Sequence, residues 1–254
     1  MFLREKKTIS EAVPVEHVVN IDEFVKEITV LQNLPNIESL LLKMSLDEGQ
    51  QMLKICLSVI HILAETDPDK KLFEQRFQDS GVKKIFLLAV TPAKETYKNL
   101  ESLLHLIGCD QLKLKIRVSA DLKCINLLCG IGCASCTYPC PFCHWRSDAG
   151  ADGEFELRTF QTIIENHQRW LAAGAKEKDL KQFFNCKNLP LPLYTDAALF
   201  ILAVFCLPVL HCLQGIFNTI FREIEKWFPG IVAWPKMLHQ KREEYHGRIF
   251  EVCD

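Results

Sequence analysis

Apolar positions recur along the chain in two rhythms, and the switches between them mark out the elements. Residues 1–36 carry mixed charge and one amphipathic stretch at 21–34, which suits a short helix ahead of the main domain. An apolar run at 39–46, turn chemistry in Asp47-Glu48-Gly49-Gln50 and a second apolar run at 52–63 with β-branched residues predict a hairpin. A polar loop through Asp67, Pro68 and Asp69 leads to a third strand-like run at 84–90, bounded by Pro92. Leu100, Leu103, Leu104 and Ile107 then stand at helical spacing, and Gly108 ends the helix predicted at 96–107. Residues 113–120 read as a fourth strand, and 122–128 as a short helix stopped at Gly130. Far along the chain, 197–210 is apolar but too short to span a bilayer and is broken by Pro208, which predicts a buried helix.

Three strands, a helix and a strand are the opening of a ribonuclease-H-like domain, an α/β fold. This order gives two aspartates a possible chemistry. Asp47 ends the first strand and Asp121 the fourth, and those strands lie side by side in that topology. Paired carboxylates repel unless a divalent cation lies between them, and Mg²⁺ (or Mn²⁺) takes such hard oxygen ligands. The alternative is that Asp47 is a turn residue and Asp121 a helix N-cap.

Cys133, Cys136, Cys140, Cys143 and His144 follow within twelve positions. The run Tyr138-Pro139-Cys140-Pro141-Phe142-Cys143 has the form of a knuckle that offers two thiolates to one tetrahedral Zn²⁺. The remaining ligands would be Cys133 and Cys136, or else the distant His239 and His246, which have six residues between them. Small buried hydrophobes are the alternative role for these cysteines.

Composition narrows these readings. With 254 residues and 48% hydrophobic content the chain can build one large core or two small ones. Thirty basic against thirty-two acidic residues leave a net charge of -2, so any DNA contact depends on local patches. Candidates are Lys83, Lys84, Lys113, Lys115 and Arg117, and a second cluster at Lys236, Gln240, Lys241, Arg242 and Arg248. The first residues, MFLREKKTIS, carry no apolar core of a secretory signal, so the twelve cysteines are expected to be reduced in nucleus or cytoplasm, not secreted.

The segments SLDEGQQMLKICLSVI, KIRVSADLKCINLLCG, YPCPFC, VLHCLQGIFN and YHGRIFE, in this order, resemble the catalytic core of DDE-type transposases. The resemblance is strongest to the superfamily of Transib transposases and the V(D)J-recombinase catalytic subunit, and it runs from Glu38 to the end of the chain. It implies a ribonuclease-H-like core, a mixed sheet with helices, interrupted by a mainly α-helical insertion that contains a zinc knuckle. The implied divisions are an N-terminal helical extension at 1–36, the core at 37–130, the insertion at 131–245 and a final core segment at 246–254. Asp47 and Asp121 would hold Mg²⁺ (or Mn²⁺), and Cys140 and Cys143 would share zinc with His239 and His246. His211 and Asn218 fall on a helix motif of the insertion. DNA is the implied partner, with a possible homodimer through the apolar run at 197–210 and no membrane.

The third carboxylate of that family departs from its pattern. Glu251 or Asp254 would take the place, but the glycine and asparagine of the family's segment are replaced and the helix that carries it is missing. A front-end DNA-binding region is likewise not expected within residues 1–36. The expectation from these departures is a transposon-derived protein with impaired catalysis.

Overall fold

A computed structural model describes residues 4–9, 13–31, 40–49, 51–61, 85–109, 116–132, 135–148, 154–194, 196–208 and scattered positions between 213 and 227. The fold is α/β. Residues 1–207 form one compact unit and 208–254 a second; in the second, the described positions from 213 to 227 are helical.

The first unit is built on one mixed six-stranded sheet. Its strands are β1 (Arg4–Ile9), β2 (Val13–Val18), β3 (Leu40–Gly49), β4 (Met52–His61), β5 (Phe86–Thr91) and β6 (Ile116–Ser119), in the order β1-β2-β5-β4-β3-β6. All neighbours are antiparallel except β3 and β6, which run parallel. Strict alternation explains the central hairpin. Leu42, Met44 and Leu46 of β3 and Leu53, Ile55 and Leu57 of β4 are buried on one face, each contributing about 1.5–3 kcal/mol of apolar burial. The intervening Lys43, Ser45, Lys54 and Cys56 are half-buried on the other.

Among the described residues of this unit, four α-helices accompany the sheet. The helix α1 (Ile21–Leu31) buries Phe24, Val25 and Ile28, with Phe24 edge-on to Phe86 of β5 at 5.9 Å. In α2 (Tyr97–Leu106), Thr96 caps the start, Leu100, Leu103 and Leu104 are buried, and Gly108 at φ 74° leaves the helix. The short α3 (Leu122–Leu128) follows β6 at once, and α4 (Phe160–Ala172) opens with a capping box at Thr159 and Thr162. Among the described residues no helix is long and apolar enough to cross a membrane.

Three expectations are corrected. The first 36 residues are not a purely helical extension: β1 and β2 join the sheet through β5, ahead of the expected helix α1. Asp47 is not a turn residue, because β3 continues to Gly49 and Asp47 pairs with Lys54. Over its described residues, 197–208, the apolar run at 197–210 is not an α-helix; they hold turns, a 3-10 segment (Ile201–Ala203) and an extended residue, Phe205, bridged in parallel to Val118 of β6. The open edge of β6 is the physical reason. Val118 N donates to Val204 O and Cys206 N to Val118 O, both at 2.8 Å, whereas a helix here would leave these groups unpaired. Arg117 fastens the same segment by donating to Leu202 O and Ala203 O. Its guanidinium, expected as a phosphate contact, is thereby engaged with the backbone.

Candidate carboxylate and cysteine sites

Asp47 and Asp121 both lie just past the paired stretch of β3 and β6, Asp47 still within β3 and Asp121 beyond the end of β6. The last paired positions are Ser45 and Ser119; two residues beyond each come Asp47 and Asp121. Asp47 shares a strand face with Lys43 and Ser45 and is exposed, its carboxylate leaning towards Gly49, where an added Cβ would come within 3.0 Å of Oδ2. Asp121 is the N-cap of α3: Oδ1 accepts from Cys124 N at 2.7 Å. The cap role therefore holds, and it occupies one carboxylate oxygen.

Next to this pair lies an ionic network with no obvious sign in the sequence. Glu95 is buried just ahead of α2, and its N–H donates to Glu48 Oε2 at 2.9 Å. Lys123 Nζ sits 2.9 Å from Glu95 Oε2 and 3.6 Å from Glu48 Oε2. The hydrogen bond to Glu95 raises the Lys123 pKa, while burial and then the Glu95 carboxylate push up the Cys124 thiol. A cleft of about 1440 Å³ opens alongside, with Lys94, Lys98, Lys123 and Lys187 in its wall.

A tight turn brings Cys140 and Cys143 together. Cys140 and Cys143 bring their sulfurs to 3.5 Å, close to the roughly 3.8 Å between two thiolates bound to one tetrahedral zinc. Backbone pairing fixes the turn: Cys143 bridges Leu157, His144 N donates to Glu156 O, and Arg158 N donates to Phe142 O, the last two at 2.9 Å. From the helix side, Asn126 of α3 donates through Nδ2 to Pro139 O at 3.0 Å. His144 stacks on Phe184 with centroids 4.1 Å apart, and burial followed by the Arg158 charge lowers its pKa. Burial raises the Cys143 thiol, and raises that of Cys186 to about 11.

Among the described residues no third metal-ligating side chain stands with Cys140 and Cys143. The donors and their spacing fit zinc as two of four ligands.

A family model described as a domain of unknown function, DUF8703, matches residues 79–169. No curated protein matches the chain. The matched span takes in β5, α2, β6 and α3, the knuckle and most of α4. Asp121, Cys140, Cys143 and Arg158 lie inside it, and Asp47 lies outside.

Several expected positions fall outside the described residues: Cys133, His239, His246, Glu251 and Asp254, together with His211 and Asn218. So do Lys83, Lys84, Lys113, Lys115, Lys236, Gln240, Lys241, Arg242 and Arg248. The sequence reading missed Glu95, Lys123, Asn126 and Arg158. Only Lys123 carried a signal, its position two residues after Asp121.

Proposed function

We propose that the chain carries a ribonuclease-H-like core of the DDE transposase kind, descended from an enzyme of DNA cleavage and strand transfer, with a zinc knuckle in the segment inserted after α3. One observation carries this reading: β6 runs parallel to β3, the end strand of the antiparallel run β5-β4-β3, and Asp47 and Asp121 each lie two residues beyond the last paired positions, Ser45 and Ser119. The parallel bridge of Phe205 to Val118 supports it, because it puts a further parallel segment outside β6 after the knuckle.

In this reading Asp47 and Asp121 hold Mg²⁺ or Mn²⁺, Asp121 through the carboxylate oxygen not used in the cap. Metals bound there would supply an activated water or 3′-hydroxyl and stabilise the leaving oxygen of a phosphodiester. Lys94 and Lys98 in the wall of the cleft are the candidates for phosphate contacts, since Lys123 and Lys187 are ion-paired to Glu95 and Glu177. Zinc is held by Cys140 and Cys143 with two further ligands, and the protein acts in the nucleus on DNA.

Incubation of the purified protein with Mg²⁺ or Mn²⁺ and nicked or hairpin-prone DNA tests the reading. Cleavage should exceed that of an Asp47→Ala/Asp121→Ala control; equal cleavage refutes activity. A second reading, a zinc-stabilised interaction module without catalysis, is favoured by the engagement of Asp121 as a cap. It predicts no cleavage together with zinc retention.

A further inference from the structure

Arg158 is fully buried, the largest side chain to be so among the described residues. Isolated charges inside a protein cost several kcal/mol and persist where their donors are all met. Among the described residues every hydrogen bond of this guanidinium goes to a carbonyl or a sulfur. Nε donates to both Cys140 O at 3.1 Å and Cys143 O at 3.0 Å, and Nη2 to Phe184 O at 3.0 Å. Nη1 lies 3.6 Å from Cys186 Sγ. One donor thus gathers the carbonyls of the two residues whose sulfurs stand 3.5 Å apart.

We propose that Arg158 is the positioning residue of the knuckle metal site, holding Cys140 and Cys143 at the separation zinc requires and offsetting the charge of their thiolates once metal is bound. The proposal rests on the zinc reading above. It assigns Arg158 no bond to the metal; the residue acts through the backbone of the two ligands, as outer partners of metal ligands commonly do. The planar fork matters, since one Nε–H reaches two carbonyls while Nη2 ties the knuckle to the turn at Phe184.

Competition against a chromophoric chelator measures the zinc affinity of the full chain, of Arg158→Gln, of Arg158→Lys and of Cys140→Ser/Cys143→Ser. The wild type should bind zinc and the double serine variant should not. Arg158→Gln should bind about ten- to a hundredfold more weakly, with Arg158→Lys also weakened because an ammonium cannot reproduce the fork. A wild type that binds no zinc removes the zinc reading itself. Zinc binding in the wild type with undiminished affinity in both Arg158 variants overturns the positioning role alone. Should the variants fail to fold, an arginine-specific dicarbonyl reagent on the wild type provides the second test. Modification of Arg158 should rise when zinc is stripped; equal modification with and without zinc overturns the proposal.

Discussion

Asp121 serves helix α3 whatever else it does. Its Oδ1 accepts from Cys124 N, and asparagine caps about as well as aspartate. Asp121→Asn should therefore stay within a few tenths of a kcal/mol of wild type in urea unfolding, while Asp121→Ala loses about 1 kcal/mol. An equal loss in both would mean that charge rather than capping supports the helix. Any cleavage lost in Asp121→Asn can then be assigned to chemistry, not to a weakened fold. Gly130 is a different case. It sits at φ 71° with its carbonyl accepting from Lys187 N and Asn188 N, and a Cβ there would meet Asn188 O at 2.2 Å. Both the left-handed backbone and the overlap oppose a side chain, so Gly130→Ala should destabilise by about 2–4 kcal/mol. A loss below about 0.5 kcal/mol in thermal or urea unfolding would contradict this close approach.

The elements that could be read in the sequence are those whose burial follows a single period. The β3–β4 hairpin alternates apolar and polar residues through Leu46 and Leu57, α2 repeats leucines at helical spacing, and α3 begins at its capping aspartate. The 197–210 run misled because a short apolar stretch fits a helix or an edge segment equally well, and the unpaired edge of β6 decided it. Likewise β1 and β2 are recognisable only through pairing with β5, and the carbonyl partners of Arg158 are set by tertiary contacts. One such contact ties α2 to the segment after Gly130. Tyr97 donates its hydroxyl to Leu189 O at 3.0 Å, and burial, reinforced by Glu101, pushes its pKa up to about 12. An unfolded tyrosine titrates near pH 10. Between those values the unfolded chain releases a proton that the folded one retains, so this group's contribution to stability falls as pH rises through the window. Tyr97→Phe should lose about 1 kcal/mol at neutral pH. Urea midpoints at about pH 9 and pH 11 should then fall less for Tyr97→Phe than for wild type. An equal fall would assign the alkaline sensitivity to other groups.

At the scale of the whole unit, the sheet and the knuckle are stabilised in different ways. The sheet draws on a continuous apolar core through β3, β4, β5 and α2, which Phe142 of the knuckle joins at its margin with Cys140 packed against it. The knuckle instead rests on turns, single bridges and the hydrogen bonds of Asn126 and Arg158, with two sulfurs facing each other at 3.5 Å. If zinc completes that centre, its removal should loosen the knuckle locally, because binding energy at a structural zinc is folding energy for the segment that holds it. Hydrogen exchange with and without a strong chelator separates the two regions. The amides of His144, Ser147 and Arg158, which close the turn onto Glu156, Thr137 and Phe142, should exchange faster without metal. Amides in the β3–β4 hairpin should keep their protection. Unchanged exchange throughout would mean that the knuckle stands without zinc, its cysteines serving as packing. Loss of protection in the hairpin as well would mean that the metal supports the entire sheet, making Asn126 and α3 the route by which knuckle occupancy reaches Asp121 at the opposite end of the same helix.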